Sequence, residues 1–288
     1  MARRDIQKEI TAQIFALIKE HGQDWTKPFA DLAGSPKNAK TENKYNGLNA
    51  LWLGLQGHTY WATYNQWQAL GAQVKKGSKA THISVPVIIK DKDDKEKIVG
   101  KYFKPAAVFS SAQVDGWAEP AIENRPDLTE RLTNIDSFID ATGANITHSA
   151  QGRAYYNRLS DSIHLPNREN FSATEFSSAT QTYYGTALHE LIHWTGSETR
   201  LDRTKGQSFG DHDYAYEELV AEVGATLASV ELGLEITVRA DHAQYIANWL
   251  SALNDNKDFI FKASADAQKA FNYLQSLQTE SSIKEEAA

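Results

Sequence analysis

The sequence predicts an α+β protein of two domains, a mixed N-terminal one and a mostly helical C-terminal one. Three observations predict it. The chain is 288 residues long, above the usual size of a single domain. Short helical patterns alternate with β-branched runs up to about residue 118, whereas helical periodicity dominates from residue 129. The charge also changes sign along the chain. Residues 1–120 carry 17 Lys+Arg against 12 Asp+Glu (+5), and residues 121–288 carry 13 against 25 (−12), which together return the net −7. The expected boundaries are 1–118, a linker over 119–128, and 129–288.

The elements follow in order. Ile6, Ile10, Ile14, Leu17 and Ile18 recur at helical spacing and predict an amphipathic first helix. Pro, Gly and Asn clusters then mark turns up to LNALWLGL, a short helix or buried segment. A helix over Thr63 to Leu70 ends at Gly71. The run ISVPVIIK reads as a strand, with Pro86 placing it at a sheet edge because proline cannot donate to a ladder. DKDDKEK is a charged hairpin tip, and IVGKYFKPAAVFSSAQV supplies one or two further strands. WAEPAIENRPDLT, with two prolines, is the linker. Beyond it come a helix, a strand at SIHLP and further helices, with a polar, frayed tail at QTESSIKEEAA.

Composition excludes some chemistry. No cysteine is present, which removes disulfides and thiolate-ligated zinc and leaves His, Asp and Glu as the available strong metal ligands. The first twenty residues carry charges throughout and resemble neither a signal peptide nor a membrane span. The cytoplasm and no membrane partner are the expectation.

The strongest motif is His189-Glu190-Leu191-Ile192-His193. Residues four apart share one face of a helix, so both imidazoles can reach one cation while Glu190 stands beside it as general base. Roughly 0.02 accidental matches are expected in a chain of this composition. The context supports a helix. Tyr184, Ala187, Leu188, Leu191, Ile192 and Thr195 form an apolar stripe, Ser177, Ser178 or Thr180 can cap its start, and Gly196 stops it. A third ligand is needed. Thr199 stands where a metzincin would place a histidine, so the search moves to YEELVAEVGATLASVEL. Glu218 is favoured as the ligand, with Glu222 four residues on hydrogen-bonding a ligand imidazole from behind. Glu217 is the alternative, but Ala221 follows it at that spacing. Ala221, Gly224, Ala225 and Ala228 allow the two helices to approach closely. This HExxH-plus-Glu arrangement is the gluzincin pattern, and it implies Zn2+ and water activation by Glu190. Arg200, His212 and Tyr214 are oxyanion-stabilising candidates by position alone. DSIHLP reads as an edge strand along which an extended substrate can pair; His164 within it reads as a surface residue.

The N-terminal half is rich in aromatics interleaved with lysine. Trp52 and Trp67 read as core, whereas Trp25 and Tyr45 lie in turn-rich loops. Rings that stack on bases, beside cations that neutralise phosphates, are what sequence-tolerant single-strand binding requires. Trp25, Lys27, Lys44, Tyr45, Asn46, Lys75, Lys76 and Lys79 are the candidates, the last three grouped around Gly77.

Trp25, Lys27, Pro28 and Phe29, then Pro36 and Asn38, Tyr45 to Asn49, and Leu70 to Lys79 resemble the N-terminal domain of ArdC antirestriction proteins, a domain similar to the N-terminal region of TraC-type plasmid primases. His189 to Arg203 and Glu217 to Glu222 resemble the metallopeptidase-like domain of the same family. The resemblance implies a plasmid-borne protein that binds single-stranded DNA and protects incoming conjugative DNA from host restriction, with a gluzincin-like zinc site in its C-terminal half. It leaves open a host restriction-modification component or another protein as substrate. Two other readings compete: a single-strand-binding protein with a non-catalytic metal site, and a metalloprotease regulator or toxin whose N-terminal half binds protein.

Overall fold

A computed structural model describes residues 5–21, 32, 34–92, 94–120, 128–173, 177–203, 212–234 and 258–286. Helix α1 (Ile6–His21) buries Ile6, Ile10, Ile14 and Ile18, the stripe its spacing predicts, against the first sheet. That sheet has the order β1-β2-β5-β4, from β1 (Lys37–Asn38), β2 (Tyr60–Ala62), β5 (Ile98–Ser110) and β4 (Thr81–Lys90). The β4–β5 hairpin is antiparallel, pairing Thr81 with Val108 at its base and Ile89 with Gly100 near its tip.

Strand β4 is an edge strand, as Pro86 requires. Part of its open edge is covered. Asn49 of α2 (Leu48–Gly54) donates to the Ser84 carbonyl at 2.8 Å and accepts from the Ser84 N–H at 2.9 Å, so an amide side chain stands in for the missing strand. Helix α3 (Tyr64–Ala69) begins at a Thr63–Gln66 capping box. Strands β3 (Gln73–Val74) and β6 (Val114–Asp115) form a small ribbon, and Trp67 sits fully buried under it.

The C-terminal half starts with α4 (Leu128–Ala141) and a second sheet of order β7-β9-β8, from β7 (Asn145–Ser149), β8 (Tyr155–Asn157) and β9 (Ser162–Pro166). The edge assignment made from SIHLP is corrected here. Strand β9 is central, parallel to β7 and antiparallel to β8. Its alternation, with Ile163 and Leu165 buried, reports that one sheet face is covered; it carries no information on whether the strand is flanked. The edges are β7 and β8.

Helix α5 (Ala179–Trp194) packs on this sheet and on α6 (His212–Glu231), which is backed in turn by α7 (Phe259–Glu286). Residues 217–230 of α6 are buried all round, because α5 and α7 both pack on it. The backbone of α7 continues through most of the polar tail expected to fray. One hydrophobic cluster joins the halves: Ile10, Leu51 and Trp61 belong to the same core as Leu188, Leu219 and Phe271. Among the described residues, no helix is long and apolar enough to cross a membrane.

Candidate metal centre

Helix α5 starts at Ser178, whose hydroxyl and Gln181 form a capping box, and ends at Thr195 just before Gly196. Within it the His189–His193 spacing acts as the motif demands: the two Nε2 atoms lie 3.1 Å apart. Glu218, on the facing turn of α6, places Oε2 3.5 Å from His189 Nε2 and Oε1 3.6 Å from His193 Nε2. Close helix approach makes this possible. A Cβ added to Gly224 would stand 2.9 Å from Ile192 Cδ1, and Ala221 and Ala228 are fully buried.

The spacing of these donors is a test of fit. Ligands about 2.0–2.1 Å from a tetrahedral ion stand about 3.3–3.4 Å from one another; the two imidazole nitrogens are 3.1 Å apart, and each is approached by a different oxygen of Glu218, at 3.5 and 3.6 Å. Two imidazoles and a carboxylate, with donor atoms within 4.8 Å of one another, form the one metal-competent cluster among the described residues. It is a buried one, with His189 5% and Glu218 7% exposed.

The surrounding groups hold the ligands in place. Glu222 Oε2 lies 3.6 Å from His189 Nδ1; a carboxylate on that side of an imidazole favours the tautomer whose Nε2 lone pair points outward. His193 is served differently. Its Nδ1 is 3.4 Å from Glu217 Oε1, and Arg203 donates to both Glu217 oxygens, at 2.9 and 3.3 Å. The same guanidinium donates to the Ile192 carbonyl at 2.7 Å and to the Thr195 hydroxyl at 2.8 Å, which ties it to the end of α5. Glu217 thus stands beside His193 Nδ1 as Glu222 stands beside His189 Nδ1, one acid behind each imidazole. The sequence reading missed this. The signal was a second acid one residue before the ligand, together with an arginine ten residues beyond the motif.

Electrostatics favour the ionised carboxylate. Burial pushes the Glu218 carboxyl up, but His193 and His189 beside it and a hydrogen bond from Tyr214 outweigh burial and hold it at about 2. Glu217 is likewise held below the usual carboxylate range: burial opposes ionisation, and His193 and Arg203 overcome it. Tyr214 thus supports a ligand.

Arg200 is already engaged. It donates to the Trp194 carbonyl at 2.7 Å, covers the Trp194 ring at 4.0 Å and pairs with Asp161. Glu190, the candidate base, is 4% exposed beside His189. His164, read as a surface residue, is half-buried, stacks on Tyr155 and contacts Thr147 and Ser149.

The nucleic-acid candidates are dispersed. Trp25 and Lys27 lie outside the described residues. Lys44 is ion-paired with Glu231 at the end of α6, and Tyr45 is half-buried against the shared core. The Asn46 carbonyl accepts from Asn49 and Ala50 at the start of α2. Lys75, Lys76 and Lys79 stay together, exposed, on a turn closed by a hydrogen bond from the Ser78 N–H to the Lys75 carbonyl at 3.1 Å. Gly77, at φ 86°, supplies the left-handed residue this turn needs.

Comparisons with known proteins agree with this architecture. A family model described as the N-terminal domain of anti-restriction factor ArdC matches residues 4–133, and one described as zincin-like metallopeptidase matches residues 133–266. Two proteins named DNA primase TraC, from Escherichia coli, are 33% and 35% identical over 94% of this chain, which spans 27% and 20% of their lengths. The protein y4eC of Sinorhizobium fredii is 32% identical over 98% of this chain and 95% of its own length. The crystal structure of antirestriction protein ArdC from the R388 plasmid, metal-free, superposes with a TM-score of 0.77 at 35% identity, covering 96% of this chain and 99% of that one. Its Mn(II)-bound structure gives 0.77 at 34% identity, covering 96% and 98%. Similarity to ArdC of the R388 plasmid over nearly the whole of both chains, with two family models in tandem and a His-His-Glu cluster in the second, makes the chain a member of the ArdC antirestriction family.

Proposed function

We propose that this chain is a plasmid antirestriction protein that binds single-stranded DNA through its N-terminal half, protects incoming conjugative DNA from host restriction, and carries a zinc metallopeptidase-type centre in its C-terminal half. The observation that carries the second part is the convergence of His189, His193 and Glu218, whose donor atoms lie within 4.8 Å of one another. Their N and O donors suit Zn2+, and a three-ligand set is the form that catalytic zinc sites take. The DNA reading is supported by membership of the ArdC family and by the exposed lysine turn.

In this reading His189, His193 and Glu218 hold the ion. Bound there, it supplies Lewis acidity, acidifying a water and polarising a carbonyl. Glu190 accepts the water's proton and returns it to the departing amine. Glu222 and Glu217 keep the imidazoles in the ligating tautomer, and Arg203 fixes Glu217. The buried setting strengthens each of these interactions by excluding competing solvent.

Metal analysis of the purified protein tests the centre. One equivalent of zinc is expected in the wild type and in Glu190→Gln, and none in His189→Ala. Equal metal content in wild type and His189→Ala would remove the proposal. Loss of peptide cleavage in Glu190→Gln at full metal content would assign that side chain its role as base.

A further inference from the structure

A cleft of about 440 Å³ opens in the N-terminal half between α1, the end of α2 and the start of β4. Resting on the single-strand reading above, we propose that this cleft receives one unpaired nucleobase of the bound strand, while the adjoining lysine turn holds the phosphates on either side of it. The volume lies within the range of small-ligand sites, about 300–1,000 Å³.

The lining has the chemistry of base recognition. Gln13 and Gln56 each offer an amide that can donate and accept along a base edge. His58 and His82 supply flat rings of the kind on which a base stacks. His58 is held in place: its carbonyl accepts from Trp61 Nε1 at 2.7 Å, and its ring packs edge-on against Trp61 at 5.9 Å. A wall fixed before binding costs little entropy to use.

Charge separates base from phosphate. Among the described residues that line the cleft, Lys79 is the one lysine and is accompanied by Glu9, an arrangement unsuited to enclosing a phosphate. Lys75 and Lys76 stand outside, on the same exposed turn as Lys79. Gln113 fastens that turn to the cleft wall: its carbonyl accepts from the Lys75 N–H at 2.9 Å, and its amide donates to the Lys79 carbonyl at 2.9 Å. The distance from cation to cleft is therefore set by the fold. A metal is not the fitting occupant, because the histidines and glutamate of this cleft form no ligating cluster among the described residues.

The test uses the full chain and a fluorescent single-stranded 12-mer, compared with the same strand carrying abasic sites, at several salt concentrations. The wild type is expected to bind the base-bearing strand about tenfold or more tightly than the abasic one. Gln13→Ala/Gln56→Ala is expected to reduce that preference to the part supplied by stacking on His58 and His82, and to keep the salt dependence. Lys75→Ala/Lys76→Ala/Lys79→Ala is expected to flatten the salt dependence on both strands, by about 0.7 in log–log slope per lost phosphate contact. Equal wild-type affinity for the two strands overturns the base cleft and leaves single-strand binding standing. A preference undiminished in the glutamine variant also overturns it. Failure of the wild type to bind either strand removes the single-strand reading itself and the cleft with it.

Discussion

The α5–α6 centre and the 75–79 turn both concentrate charge, but in opposite surroundings. In the centre, His189 faces Glu218 and Glu222, His193 faces Glu217 and Glu218, and Arg203 closes the set, all in the interior. On the turn, three lysines project into solvent, and Lys75 reaches the Ala112 carbonyl at 3.0 Å. Charges taken out of water must answer one another or destabilise the fold, whereas solvated ones are nearly neutral to it. Substitutions in the first region should therefore act on stability and metal affinity together, and those in the second on binding alone.

Arg203→Met challenges the contrast most severely. Arg203 and Glu217 have side chains only 7% and 3% exposed, so removing the guanidinium leaves the buried carboxylate with His193 Nδ1 at 3.4 Å as its remaining partner, a loss approaching that of an uncompensated buried charge, about 3–5 kcal/mol. Urea denaturation should show that loss, and the double variant Arg203→Met/Glu217→Gln should recover much of it. A single variant as stable as wild type would mean that the centre is wetter than its burial implies.

Gly224→Ala comes next. The added methyl meets Ile192 at 2.9 Å in a filled interior, and overpacking of this kind costs about 1–3 kcal/mol. Because it pushes apart α5 and α6, metal affinity measured by chelator competition should fall with it; Gly224→Ala/Ile192→Ala, which removes all three crowding atoms, should restore the metal affinity but not the full stability, since a cavity replaces the clash.

Asp161 gives a smaller, pH-dependent effect. Its hydrogen bonds from Arg200 hold the carboxyl below its ordinary value of 3.8 against the opposing effect of burial. A depressed folded value contributes stability above 3.8 that is lost as pH falls through the lower folded value. Asp161→Asn should cost under about 1 kcal/mol at neutral pH, and the difference from wild type should shrink in melts below pH 3.8. A gap that persists in acid would assign the loss to packing.

Lys76→Ala is the smallest perturbation, with stability expected within about 0.5 kcal/mol of wild type. A larger shift in its thermal melt would show that the turn, too, supports the fold.

The legibility of each region follows from the same contrast. The metal motif could be read because a helix converts spacing of four into proximity, so His189 and His193 announce their geometry locally. Glu218 could be reached through its partner Glu222 on the same face. The role of Glu217 could not, since it depends on Arg203 arriving from the far side of the α5 end. The edge position of β4 was visible in one residue, Pro86, whereas the flanks of β9 depend on β7 and β8, which no local pattern specifies. In the N-terminal half, Asn38 and Asn49 carry part of the family resemblance. Asn38 binds Gln66 and the backbone of Lys40 and Thr41, and Asn49 clamps β4, so these recurring polar residues shape the loops. Lys44 shows the remaining gap: a lysine in a basic stretch reads as a phosphate ligand until Glu231 is found beside it.

Helix α7 acts as a keystone. It sets Phe261 edge-on to Phe103 of β5, accepts the Gly47 N–H through Gln268 at 3.1 Å, receives the Tyr216 hydroxyl on Asp266 at 2.7 Å and reaches the Phe138 carbonyl through Gln278 at 3.1 Å. A chain cut ahead of residue 258 would strip cover from the strand layer and the ligand-bearing helix at once. The halves share this one helix, and removing it should unfasten both.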